Sequence, residues 1–147
     1  MVDVIEKSLF DTIYHEHLAY HSVKPLVAFF EANGLRLFHA ERVDSHGGSL
    51  RGYVCHADAP WPRDQSVDEL ISLEADMKLG EAKTLRAFSA RIDAIGADLS
   101  GRLRALKNKG MNIAAFGAPA KATTLMYHFG IGADVIDFIV DDSPLKQ

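Results

Sequence analysis

The ten residues Ile13-Tyr14-His15-Glu16-His17-Leu18-Ala19-Tyr20-His21-Ser22 hold three histidines, two tyrosines and a glutamate. Side chains that exchange protons near neutral pH, with neighbours able to orient them, are what removal of a carbon-bound proton requires. In extended chain, residues two apart share a face, so Tyr14 would point with Glu16 and His15 with His17. The same residues allow a second chemistry. His15 and His17 could ligate zinc or iron, with Glu16, His21 or His46 as a third ligand. A third possibility is a polar surface with no chemistry.

Two further stretches could bind a ligand. In Phe116-Gly117-Ala118-Pro119-Ala120-Lys121-Ala122-Thr123-Thr124, a glycine follows an apolar run and a helix begins near Ala120. Free backbone N–H groups and the positive helix end would then stand where a phosphate could sit, with Lys121 adding a point charge. The spacing is neither a Walker A loop nor G-x-G-x-x-G, and an ordinary strand-to-helix turn uses the same residues. Gly117 and Asp141-Asp142 would lie at the carboxyl ends of neighbouring strands, where open α/β sheets bind ligands. His46-Gly47-Gly48-Ser49-Leu50-Arg51 reads as a hairpin loop that needs positive φ at Gly47 or Gly48.

The elements that must position these groups follow from patterning. Val2, Val4 and Ile5 lead into the apolar and aromatic run Phe10 to Tyr14, which reads as strand or extended chain. Ser22 as N-cap, Pro25 in the first turn and Asn33-Gly34 as a stop frame one short amphipathic helix. Leu35, Leu37 and His39, then Leu50, Gly52 and Val54, recur at period two on either side of the glycine loop, which predicts a β-hairpin. Ala59-Pro60-Trp61-Pro62 ends the sheet, dividing the chain into 1–62 and 63–147.

Beyond that point Ser66-Val67-Asp68-Glu69 reads as a capping box. Leu85, Phe88, Ile92, Ile95, Leu99, Leu103 and Leu106 step by three or four, so one long helix or a broken pair is expected. The stripe faces either the domain's own core or a coiled-coil partner. Gly80, Gly96 and Gly101 within it predict a bend or a close packing contact. Met111 to Gly117 and Val135 to Val140 read as buried strands flanking a helix over Ala122 to Phe129, a βαβ unit with parallel strands. Two strands make an incomplete sheet, so further strands are missing, come from the first segment, or come from a partner. The fold class is α/β.

Composition narrows the function classes. A chain of 147 residues that is 48% hydrophobic can bury a sizeable core. Its formal net charge of −4 and scattered basic residues give no footprint for nucleic acid. The amino terminus lacks a signal-peptide layout and no apolar run reaches a membrane span, so a cytoplasmic protein is expected. Cys55 is the only cysteine, which excludes an intrachain disulfide and predicts a buried thiol.

Taken in order and at these separations, FDTIYHEHLAY, HGGSLR, GAPAK and VDDSPLKQ resemble the carboxy-terminal portion of the S-adenosylmethionine-dependent sugar C-methyltransferases, which act on nucleotide-linked keto-deoxyhexoses. The resemblance runs from Phe10 to Gln147. It implies that 1–62 is the tail of a class I methyltransferase domain, its last helix and β-hairpin. Residues 63–147 would be a long helix or helices followed by a truncated Rossmann-like βαβ unit. It also implies chemistry: a base removes the proton beside the sugar keto group, and the enolate takes the methyl group from S-adenosylmethionine.

The matching positions are Tyr14, Glu16 and His17, with His17 as base, Tyr14 on the keto oxygen, Glu16 orienting the pair and His15 a bystander. Gly117, Ala118 and Lys121 would contact the nucleotide sugar or its phosphates, and Arg51 a second anion. The chain departs from the family pattern at Ala122 and Thr123, where glycine and asparagine are usual. It also lacks a cysteine-rich zinc module and a glycine-loop cofactor site. The expectation is therefore a fragment that binds a nucleotide-linked sugar, relies on a missing amino-terminal methyltransferase region for most of its cofactor contacts, and does not methylate alone. The competing readings are a non-catalytic nucleotide-sugar binding or assembly domain and a histidine-metal oxygenase.

Overall fold

The computed structural model describes residues 1–145 of the chain, so Lys146 and Gln147 of the VDDSPLKQ stretch lie outside the described residues. The described chain is mixed α/β, with two small sheets and five α-helices. It forms two compact units: Met1–Leu9 with Ala19–Phe88, and Phe10–Leu18 with the residues from Ser89 onward.

The first unit opens with helix α1 (Val2–Glu6) rather than extended chain. Val2 and Ile5 lie three apart on one helical face and are both buried, while Asp3 and Lys7 pair at i,i+4 with 3.1 Å between them. Those spacings suit a helix and not a strand. Helix α2 (Val23–Ala32) follows, with Pro25 in its first turn and Asn33 and Gly34 (φ +70°) at its end. Ser22 occupies the N-cap position in extended conformation, but its hydroxyl makes no cap bond. The buried Glu74 does that work from elsewhere in the chain. Its carboxylate accepts from the N–H groups of Val23 at 2.6 Å and Lys24 at 3.1 Å. Removing it orphans two amides at a helix start, so Glu74→Ala is expected to cost about 1–3 kcal/mol. The reading is the denaturant midpoint; an unchanged midpoint would show that water replaces the cap.

Strands β1 (Leu35–Val43) and β2 (Ser49–His56) pair antiparallel. The alternation breaks between Leu37 and His39, where Phe38 is an extra residue and the register slips. The buried positions are therefore Leu37 and Ala40, and His39 is only half-buried. Phe38 stacks on Trp61 at 5.9 Å, and its carbonyl accepts from the Asp64 N–H at 2.8 Å, so the proline-flanked connector docks on the bulge. Cys55 beside it is half-buried, not buried, with its sulfur 3.9 Å from the Trp61 carbonyl. Gly52 lies under Leu37, whose Cδ1 is 2.9 Å from where a β-carbon would stand.

Between the strands, His46, Gly47 and Gly48 all have positive φ. Gly48 has a second reason to lack a side chain: a β-carbon there would sit 2.5 Å from that of Asp3. Arg42 holds Asp3 through two bonds, at 2.7 and 3.1 Å, and reaches Glu6 at 2.6 Å. The Arg42 and Lys7 bonds keep the Asp3 carboxyl below its ordinary range. Lys7 also donates to the Gly47 carbonyl at 2.8 Å, completing the clamp of α1 on the loop.

Helix α3 (Gln65–Asp76) starts at a different cap from the one its sequence suggests. Asp64 accepts from the Ser66 N–H at 2.9 Å, and the Ser66 hydroxyl instead accepts from the Ala40 N–H at 3.0 Å. His39 joins this junction, with Nδ1 2.5 Å from Asp64. Val67, fully buried, brings α3 into the core formed by Val23, Leu37 and Ala40. The first unit therefore extends past Pro62. The helical stretch is a broken pair: after Asp76, Lys78 takes a left-handed conformation (φ +55°), and α4 runs over Ala82–Asn108.

In the second unit only Ile92 and Gly96 of α4 are buried, and Ile95 and Leu106 of the apolar stripe stay exposed. The close contact expected at a glycine occurs at Gly96, which lies against the ring of Phe129. Gly110 (φ +76°) closes α4. Strand β3 (Ala114–Phe116), helix α5 (Ala120–Phe129) and strand β4 (Phe138–Val140) follow, and the strands pair parallel with Ala114 opposite Phe138. Both strands are shorter than the apolar runs that contain them, and they are exposed rather than buried, with Phe116 at 74% and Phe138 at 56%. The apolar content of the second run is buried instead through Val135, in the turn before β4.

Candidate functional site

Phe10–Thr12 is a single 3-10 turn, and its aromatic side chain anchors it. The Phe10 ring lies 5.0 Å from that of Phe129 and 5.4 Å from that of His128, both on α5. Asp11 adds an ion pair with Lys121 in the first turn of α5, at 3.7 Å. From there the backbone turns repeatedly. Tyr14 N–H donates to Thr12 at 3.1 Å and His17 N–H to Tyr14 at 3.0 Å, so the segment is a chain of turns and not extended.

That geometry redistributes the side chains. The Tyr14 hydroxyl donates to Glu16 Oε2 at 3.0 Å, and the Tyr14 ring packs edge-on against His17 at 4.9 Å and His15 at 5.7 Å. Tyr14 thus stands at the centre of the cluster, and the two histidines are not simply paired on one face. Among the described residues no group of three His, Cys, Asp or Glu side chains is arranged to hold a metal ion.

The glycine turn before α5 is in the same unit as this cluster. Gly117 has φ +89°, a conformation that favours glycine. Its N–H donates to the Val140 carbonyl at 2.7 Å, and the N–H of Ala118 donates to Asp141 Oδ2 at 2.6 Å. Asp141 Oδ1 also accepts from the Ser143 N–H at 2.8 Å. The two amides expected to be free for a phosphate are therefore engaged. Lys121, paired with Asp11, is the cation nearest this turn, and in the first turn of α5 the Ala122 N–H donates to the Pro119 carbonyl at 2.9 Å.

Arg51 belongs to the other unit, exposed on β2. It pairs with Glu41 at 3.1 Å, and the Tyr53 hydroxyl donates to the same carboxylate oxygen at 3.0 Å. The Tyr53 hydroxyl and then the Arg51 guanidinium hold Glu41 below the usual carboxylate range. Sequence reasoning set Asp141 near Gly117 at the strand ends but not as the acceptor of the Ala118 N–H, and it missed Phe10 and Asp11 as organisers of the site. Phe10 and Asp11 stand inside the quoted FDTIYHEHLAY stretch, but nothing local says that they meet a helix over a hundred residues later.

A family model described as the C-methyltransferase C-terminal domain matches residues 44–147, most of the chain. The chain belongs to the C-methyltransferase C-terminal domain family. It is also similar to C-methyltransferase NovU of Streptomyces niveus, with 33% identity over all 147 residues. The chain spans 35% of NovU's length. In this family member, the Tyr14 cluster lies before the matched region, and the GAPAK turn and Asp141 within it. The similarity to NovU covers both. Among the described residues no helix is long and apolar enough to cross a membrane.

Proposed function

We propose that the chain is the carboxy-terminal part of a cytoplasmic S-adenosylmethionine-dependent C-methyltransferase that acts on a nucleotide-linked keto-deoxysugar. The observation that carries this reading, beyond family membership, is that the Tyr14–Glu16–His17 cluster follows directly on the Phe10–Thr12 turn, whose Asp11 pairs with Lys121 of α5. Proton-transfer groups and a positive charge are thereby held on one compact unit. Helix α2 and the β1–β2 hairpin supply the last helix and hairpin of the methyltransferase domain, and β3, α5 and β4 a Rossmann-like βαβ unit.

His17 takes the proton from the carbon beside the keto group, leaving its electron pair delocalised onto the keto oxygen as an enolate. Tyr14 stabilises that oxygen when its one hydroxyl proton turns from Glu16 to the substrate, and the Glu16 contact holds the hydroxyl in place until then. Lys121 contacts the anionic nucleotide portion. Gly117 and Ala118 contribute by their small size, because their amides are bonded to Val140 and Asp141.

The described residues do not fit the methyl donor. Their strand-turn-helix at Gly117 has its leading amides spent on Val140 and Asp141, so no residue here is assigned to S-adenosylmethionine. A region outside this chain holds it, and the chain alone does not methylate.

Titration of the chain with thymidine diphosphate, followed by amide NMR, tests the acceptor half. Shifts are expected in Gly117 to Lys121, with affinity about tenfold weaker in Lys121→Ala, the size of one charge-assisted bond. No response to the diphosphate would place the nucleotide grip elsewhere or exclude this acceptor.

A further inference from the structure

We propose that Asp11 is a positioning residue, which sets the Tyr14–Glu16–His17 cluster in place by tethering its turn to Lys121 of α5. The inference rests on the reading of that cluster as catalytic. The Phe10–Thr12 turn has two attachments to α5, one apolar and one ionic. Phe10 packs on Phe129 and His128, and Asp11 faces Lys121 at 3.7 Å. An aromatic contact fixes the distance of the turn from the helix but lets it rotate about the ring. A second attachment one residue away, to a side chain eight positions before Phe129 on the same helix, removes that rotation.

The orientation is passed on through the backbone. Ile13 N–H donates to Phe10 at 2.9 Å, Tyr14 N–H to Thr12 at 3.1 Å and His17 N–H to Tyr14 at 3.0 Å. Each link of the chain of turns is closed by a short-range bond, so an angular change at Asp11 reaches Tyr14 and His17. The two charged side chains are about one-third exposed, 35% for Asp11 and 31% for Lys121. A pair so placed adds little to global stability, and its effect is geometric. Lys121 accordingly has two roles, since the cation that faces the nucleotide also holds the turn carrying the base.

The test is charge reversal and exchange, read from the ring-proton cross-peak between Tyr14 and His17, whose centroids are 4.9 Å apart. Asp11→Lys, which sets two cations against each other, is expected to lose the cross-peak. The double variant Asp11→Lys with Lys121→Asp is expected to restore it, because the pair is rebuilt with reversed sign. Amide dispersion outside residues 10–18 and 117–124 checks that each variant is folded. If Asp11→Lys does not fold, Asp11→Asn is read in its place against Asp11→Glu, with loss in the first and retention in the second. A cross-peak that persists in Asp11→Lys, or that stays lost in a folded double variant, overturns the proposal. The catalytic reading fails separately, if His17→Ala retains methyl transfer in the longer protein.

Discussion

In the longer protein, His17→Ala is expected to lower kcat by about 10²–10⁴-fold, the usual contribution of a positioned general base, with KM for the nucleotide-linked sugar little changed. His17 is exposed, and its ring rests on Tyr14 rather than in a core. Truncating it should therefore move stability by no more than about 0.5 kcal/mol, so the loss of rate cannot be ascribed to unfolding. His15 supplies the internal control. It has the same chemistry and also touches Tyr14, at 5.7 Å, yet it is the bystander in this account. His15→Ala should keep near-normal kcat, and a loss equal to that of His17→Ala would mean that base and bystander have been exchanged. Steady-state kinetics on the two variants, with thermal unfolding of each, makes the comparison.

The second large effect concerns the packing that holds α5. A β-carbon at Gly96 would lie 2.3 Å from Cδ1 of Phe129 and 2.6 Å from Cε1, nearer than side-chain atoms approach one another. Phe129 is itself buried and carries Phe10 on its other contact, so it has little room to yield. Gly96→Ala should destabilise by about 1–3 kcal/mol through overpacking, even though alanine gains about 1 kcal/mol over glycine in helix propensity. Gly101, in the same helix α4, has nothing within 4 Å of its β-carbon position. There the propensity acts alone, and Gly101→Ala should stabilise by about 0.5–1 kcal/mol. Opposite signs at two glycines five residues apart can be read from denaturant midpoints. Equal signs would mean that α5 does not press on α4 at Gly96.

What sequence could and could not say about this fold follows from the range of the forces involved. The stop of α2 at Asn33-Gly34 and the positive φ at Gly47 and Gly48 are readable because each is decided by a residue's own backbone freedom, whereas the positive φ of His46 is not. The parallel strand-helix-strand order of the second unit is readable too. The α1 segment was misread because Val2, Val4 and Ile5 favour strands intrinsically, and the burial of Val2 and Ile5 together with the Asp3–Lys7 pair outweighs that preference. At α3 the capping-box reading at Ser66 gives way to a cap at Asp64, because the Ser66 hydroxyl is claimed by Ala40 of the bulged strand. No local pattern could show that claim. The period-two reading failed at His39 for a related reason: Phe38 leaves the ladder to stack on Trp61.

The site was legible in its residue types and illegible in its geometry. The histidine- and tyrosine-rich stretch stands out by residue type alone, but the choice of Tyr14, Glu16 and His17 within it rests on the family resemblance, and their grouping depends on turns rather than on strand alternation. The amides of Gly117 and Ala118 looked available because their acceptors, Val140 and Asp141, come more than twenty residues later. Glu74 at the start of α2 and Asp11 at Lys121 are the same kind of omission, single side chains acting across long stretches of chain.

The central claim, that this cluster forms an enolate, is tested most directly by hydrogen exchange at the substrate carbon. The longer protein would be incubated in deuterium oxide with a thymidine-diphosphate-linked keto-deoxyhexose, and with S-adenosylhomocysteine so that no methyl group can be transferred. Deuterium should enter beside the keto group with the wild-type protein and not with His17→Ala. Incorporation at the same rate in His17→Ala, or its absence from a wild-type protein that does methylate this sugar, would contradict the account.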